Sequence, residues 1–156
     1  MEAIMSDTIA GKKFHHLGFI GLELGADGHP IQDNPQKECA PKELHPKLEA
    51  PSCRLELPKL PRKPGVYIVE VGNERAYVGV AQDLAKRWNG YRTITPAKCK
   101  RNGQPTNCRV NHLILKAHQC GRRVGLLFRK YETLEKRAID ELHPSWNEQF
   151  GSRFQV

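Results

Sequence analysis

No Cys-x-x-Cys pair occurs in this chain of 156 residues, and its five cysteines, Cys39, Cys53, Cys99, Cys108 and Cys120, are odd in number and widely spaced. That excludes a disulfide framework and a zinc ribbon, and leaves reduced thiols as the simplest reading. A four-ligand set of Cys99, Cys108 and His112 with His118 or Cys120 is conceivable, but its spacing fits no standard zinc pattern. On a helix expected from Asn107 to Gln119, Val110, Leu113, Ile114 and Ala117 share one face. His112 then sits nearly opposite, where solvent or a phosphate is a better partner than a metal. Apolar runs are also missing: none approaches the roughly 18 residues of a membrane-spanning helix. The first residues carry no signal-peptide pattern and no internal repeat is present, so a cytoplasmic protein with no membrane contact is expected.

Proline is scarce over most of the chain but dense in one stretch, with eight of the 11 prolines between Pro30 and Pro64. Such a segment makes a poor helix or central strand and a good extended connector. Ahead of it, Phe14 to Leu24 is apolar and Gly-rich, and Ala26-Asp27-Gly28-His29 suits a small hairpin. Acidic residues thin out in the other direction. Residues 1–60 hold 7 Lys/Arg and 9 Asp/Glu, whereas residues 61–156 hold 18 and 8. A local charge of −2 therefore gives way to +10, the asymmetry of a domain that meets a polyanion, because cations facing phosphates release condensed counterions. The expected organisation is an N-terminal extension over 1–60, one domain over 61–148 and a tail over 149–156. The extension is read as removable, and its function is not legible.

The chemistry concentrates in residues 61–148. Gly65-Val66-Tyr67 opens a strand that runs to Val71, Gly72-Asn73-Glu74 turns the chain, and Ala76 to Ala81, with Tyr77-Val78-Gly79, returns it as the second strand of a hairpin. Period-2 alternation places Tyr67 with Val69 and Val71, and Gly79 leaves its backbone open to close approach by a ligand. Asp83 can cap a helix whose Leu84 and Trp88 point inward at i, i+4, which sets Arg87 beside the apolar stripe and along the sheet edge. Further on, at about 100° per residue, Glu135 falls inside the apolar arc of Leu134, Ala138, Ile139 and Leu142, while Glu132, Asp140 and Glu141 lie at or beyond its edges. A buried carboxylate needs a partner, and a bound cation or Arg87 would supply one. Pro144-Ser145-Trp146-Asn147 closes that segment.

This order of motifs resembles the GIY-YIG nuclease family over roughly residues 61–148. The resemblance implies an α/β fold, a small, mostly antiparallel three-stranded sheet flanked by helices in the order β-β-α-α-β-α, with the third strand at Val124 to Tyr131. It implies a DNA endonuclease that hydrolyses phosphodiester bonds, on structured or single-stranded DNA. It assigns Tyr67 as the base for the attacking water or its relay, Tyr77 and Arg87 to the scissile phosphate, Glu135 to one divalent cation, and Asn147 to ordering the site. Mg2+ or Mn2+ suits a lone carboxylate completed by waters and phosphate oxygens, and no small-molecule cofactor is expected. Arg92, Lys98, Lys100, Arg101 and Arg109, around the loop from Pro96 to Pro105, are the candidates for contact with the DNA backbone, with Asn102, Gln104 and Asn107 adding hydrogen bonds and Arg122-Arg123 adding charge.

Each residue taken singly also has a plain structural reading: strand aromatics for Tyr67 and Tyr77, a surface charge for Arg87, half of an ion pair for Glu135, a turn residue for Asn147. At the scale of the domain, the alternative is a nuclease fold that has lost activity and only binds nucleic acid. The chain departs from the family pattern at Val80, where many members are basic, and at Tyr91, where some carry histidine. The auxiliary acid or base is thus open, with Tyr91 either in that role or packed on Leu84.

Overall fold

In a computed structural model the described residues are 6–9, 12–44, 51–100 and 105–130. Glu135, Asn147, Arg101, Asn102 and Gln104 lie outside them, as does the helix expected to follow the last strand. In chain order the elements are β1 (Ser6–Ile9), β2 (Lys12–Leu22), β3 (Gln32–Asp33), β4 (Ser52–Cys53), β5 (Leu55–Glu56), β6 (Gly65–Val71) and β7 (Glu74–Ala81). They continue with α1 (Leu84–Arg92), α2 (Pro96–Cys99), α3 (Pro105–Gln119) and β8 (Val124–Arg129). The chain divides into two compact units, one from Pro58–Arg87 with the residues up to Ile20 and from Arg122 on, the other from Gly21–Leu57 and Trp88–Gly121.

The first unit is a sheet in the order β1-β2-β8-β6-β7. Its β6–β7 hairpin is local, pairing Gly65 with Ala81 through Val71 with Glu74. Gly72, at φ 59°, supplies the left-handed residue that a two-residue hairpin turn requires. The expected three strands are present, with β8 antiparallel to β6. The sheet is wider than expected, because β2 pairs with the other edge of β8, from His15 opposite Phe128 to Ile20 opposite Val124. Alternation along β2 turns Phe14 into a cluster with Val66, Ile68, Val78 and Leu127, all five without exposed surface. Full burial of such a side chain stabilises a fold by about 1.5–3 kcal/mol. The opposite face is buried as well, through Tyr67, Val69, Tyr77 and Leu126. Residues read as an extension are therefore part of this sheet.

The start of α1 is tied to the same unit. Asp83 accepts the Lys86 N–H at 3.1 Å, the N-cap expected of it, and the Leu84 and Ala85 N–H groups reach the carbonyls of Lys63 and Pro61. Leu84 and Trp88 are fully buried, as their spacing requires.

In the second unit, α3 is buried almost all round, so the four-residue face expected of it is only part of its packing. Asn111 explains why. Its Nδ2 donates to the carbonyls of Cys53 (2.8 Å) and Tyr91 (2.7 Å), and its Oδ1 accepts the Cys53 N–H at 2.7 Å, which fastens β4 to the helix. His112, expected in solvent or on a phosphate, is instead 7% exposed with Nδ1 2.7 Å from the Pro51 carbonyl. The segment 51–56 covers the side of α3 that a helical wheel leaves open. The expected turn at residues 26–29 is present, closed by a Leu24–Pro30 bridge and by Asp27 Oδ1 accepting the His29 N–H at 3.0 Å. Among its described residues, the proline-rich stretch contributes only two-residue strands and single helical turns at Pro35–Glu38 and Pro41–Glu43. No described helix is long and apolar enough to cross a membrane.

Candidate active site

Register places Tyr67 opposite Gly79 and Tyr77 opposite Val69, so the two phenols are diagonal neighbours on one sheet face. Their ring centroids stand 6.1 Å apart with planes inclined by 33°. Both side chains are at most 1% exposed. A methyl group built on Gly79 would run into the Tyr67 ring and hydroxyl, so the space above Gly79 belongs to Tyr67 and not to a ligand. Gly65 is required in the same way, since a side chain there would strike the Arg129 carbonyl and the Phe128 ring at the β6–β8 seam. Reading the chain alone missed this packing role. The available signal was a glycine two residues before one tyrosine and another two residues after the other, each facing a bulky neighbour in an antiparallel register.

Arg87 lies in the same unit, half-buried, one turn into α1, where its N–H bonds the Asp83 carbonyl at 2.9 Å. The Asp83 cap and the Lys63 and Pro61 carbonyls fix the start of that turn to the segment that enters β6. Tyr67, Tyr77 and Arg87 thus come from two strands and a helix that are locked to one another. Tyr91 packs edge-on against Trp88, with centroids 4.8 Å apart, and is fully buried in the core of the second unit.

The loop candidates divide. Lys98 is turned inward: α2 folds part of the expected loop into a helical turn, and Nζ donates to the carbonyls of Gly90 (2.8 Å) and Thr93 (2.7 Å), near the C-terminal end of α1. Cations are stabilised at a helix C-terminus, although partial burial lowers the ammonium pKa from its ordinary value. Lys100 pairs with Glu43 at 3.4 Å. Asn107 is 3% exposed and donates to the Gly90 carbonyl, so it is not available to a phosphate. Arg122 bonds the Val71 carbonyl at 3.0 Å and pairs with Glu74, and Arg123 covers the Phe19 ring at 3.8 Å. Arg92 is exposed and Arg109 partly buried.

The thiols are placed for packing. Cys99 and Cys108 approach to 3.5 Å within a cluster with Ile94, against which Leu44 packs. Burial raises the pKa of both and pushes Cys53 up to about 12, so these sulfurs stay protonated at neutral pH and are poor nucleophiles or metal ligands. Among the described residues no group of three or more His, Cys, Asp or Glu side chains is gathered for a metal ion. The carboxylate that the resemblance gives to the cation, Glu135, lies outside those residues.

A tyrosine-bearing hairpin braced by a capped, arginine-bearing helix on an antiparallel sheet defines a small α/β catalytic domain. The GIY-YIG catalytic domain matches residues 63–149, more than half of the chain. This protein belongs to the GIY-YIG family and is an endonuclease, a hydrolase of DNA. Among solved structures it is similar to a point mutant of EndoII from bacteriophage T4, with a TM-score of 0.51 and 20% identity over 85% of this chain and 91% of that one. That likeness is one of fold. No curated protein matches the chain.

Proposed function

We propose that this endonuclease is dependent on a divalent metal and cuts structured or single-stranded DNA through Tyr67, Tyr77, Arg87, Glu135 and Asn147. The observation that carries the reading is the seating of Tyr67 and Tyr77 side by side on one sheet face, in the unit that also holds Arg87. A phenol titrates near pH 10 in water, so Tyr67 takes a proton from water at neutral pH only if positive charge lowers its pKa. Arg87, in the same unit, is the cation assigned to that task. In the reaction Tyr67 accepts the proton of the attacking water, directly or through a second water. Tyr77 donates to a non-bridging oxygen of the scissile phosphate. Arg87 offsets the charge that grows there as the new P–O bond forms and the old one breaks. Asn147 orders the site. Glu135 would hold Mg2+ or Mn2+, whose chemistry when bound is to neutralise phosphate charge and acidify water.

Glu135→Gln tests this reading because it keeps size and removes the charge. Cleavage is expected to fall by at least two orders of magnitude, while DNA binding measured without metal persists. Gel-shift binding, thermal melting and cleavage in Mn2+ are compared for both proteins. Undiminished cutting by the variant refutes the metal assignment, and parallel loss of melting temperature and binding makes Glu135 a structural partner. A parent protein that cuts no form of DNA would instead point to a binding module on a nuclease fold.

A further inference from the structure

The sheet face that carries Tyr67 continues across β8 to β2, and there it forms a hollow of about 340 Å³, at the small end of the range for ligand pockets. Its floor is apolar, from Leu17, Phe128 and Pro61. Its rim is cationic: Lys13 comes from β2, Lys63 from the segment entering β6, and Arg129 and Lys130 from the end of β8, with His15 beside them. Among the described residues that line it, none is acidic. Arg129 Nη1 donates to the Lys13 carbonyl at 3.0 Å, which ties the β2 side of the mouth to the β8 side.

Four positive side chains on three separate segments do not converge on one hollow through composition alone. A solvated basic surface would scatter them or lace them with carboxylates. Like charges brought together cost free energy that a bound anion recovers. The apolar floor asks for more than a bare anion, since it offers surface to a sugar or a base. A nucleotide has both parts.

Register gives the direction. His15 lies opposite Phe128, Phe128 opposite Tyr67, and Tyr67 opposite Gly79, so the pocket and Tyr67 share one row across one face, with Tyr77 in the adjacent row of that face. From β6 to β2 is two strand spacings, about 10 Å. A DNA strand advances about 3.4 Å per phosphate along a duplex axis and its phosphates stand farther apart along the strand itself, so at most about three nucleotides cover that span.

We propose that this pocket holds one nucleotide of the substrate strand, within about three nucleotides of the phosphate that is cut, with its phosphate among Lys13, Lys63 and Lys130 and its sugar over Phe128 and Leu17. The proposal rests on the reading of the protein as a DNA endonuclease and gives it a strand path. It also gives β2 a task besides closing the sheet.

The test is the double variant Lys13→Gln, Lys63→Gln, both positions being exposed, with Lys116→Gln on the exposed side of α3 as the control. Binding of labelled single-stranded and duplex DNA is measured without metal from 50 to 200 mM salt. With two phosphate contacts removed, the slope of log K against log salt should become shallower by about 1.8 on duplex and about 1.4 on single strands, and affinity should fall on the order of tenfold. The control should follow the parent. Strands shortened one nucleotide at a time on either side of the cut should raise the parent's KM in a step within about three nucleotides of the cut, and the double variant should show no such step. Equal slopes and equal affinities for parent and double variant overturn the proposal, as does a loss confined to kcat. Inorganic phosphate serves as the bare-anion probe: if it stabilises the parent and not the variant while DNA affinity is unchanged, the pocket takes a free anion and the strand path is wrong. Absence of cutting by the parent strikes at the endonuclease reading, while the metal-free salt slopes decide on the pocket separately.

Discussion

Tyr67 owes its seat to Gly79. The phenol lies over the one cross-strand position without a side chain, so the second motif glycine shapes the site by what it omits. Two substitutions separate packing from chemistry. Tyr67→Phe keeps the ring and removes the hydroxyl, and cleavage should fall on the order of 100- to 10,000-fold with little change in melting temperature. Gly79→Ala should instead destabilise by about 1–3 kcal/mol, as overpacking does, and lower activity by displacing the ring. Cleavage rates and thermal melts on both variants check this, and parent-level cutting by Tyr67→Phe removes the phenol from the chemistry. The placement of Tyr67 and Tyr77 on one hairpin and of Arg87 one helical turn beyond Asp83 was legible in the chain because those relations are local, whereas the packing role of Gly79 was not. His112 was not, because its acceptor, the Pro51 carbonyl, is 61 residues away. Lys98 misled for a different reason: a basic residue in a polar loop invites a phosphate, yet free carbonyls near the end of α1 were closer.

Helix α3 shows how an element can be located correctly and its surroundings misjudged. Its limits follow from Pro105 at the start and Gly121 just beyond the end, the asymmetry that helices favour. The wheel found the apolar face but not Asn111, whose value lies in three backbone groups contributed by distant residues. Asn111→Leu should therefore leave the Cys53 N–H and the Cys53 and Tyr91 carbonyls without a partner, and lower stability by on the order of 3–5 kcal/mol. Urea unfolding measures this. A change below about 1 kcal/mol would show that water replaces the side chain. The proline-rich stretch follows the same logic: composition argued against long elements there, and its described residues have none, but it could not reveal that Ser52–Cys53 is clasped by a helix more than fifty residues later.

Across the whole chain, the charge division and the motif block were readable, whereas the width of the sheet was not. Strand β2 looks like a free apolar segment until β8 is placed beside it, and nothing in the spacing of motifs announces that pairing. Removing residues 1–60 takes away the burial of Phe14 and Ile20 and strips one edge of β8 of its partner. At about 1.5–3 kcal/mol per side chain, before any lost strand pairing, the loss is a large share of the 5–15 kcal/mol that holds a typical domain. The truncated protein should melt without cooperativity or aggregate, as calorimetry and size-exclusion chromatography would show. A cooperative melt would mean that β6, β7 and β8 suffice. The place of β8 has a further consequence, for the time course of synthesis. The sheet's middle strand is made more than a hundred residues after the β2 strand that it joins, so a nascent chain carries Phe14 and Ile20 without their final cover until Val124–Arg129 has left the ribosome. The β6–β7 hairpin can close early, but the seam between β2 and β8 is a slow, long-range step. Through that interval a chaperone, or a second nascent chain, competes for the same open edge.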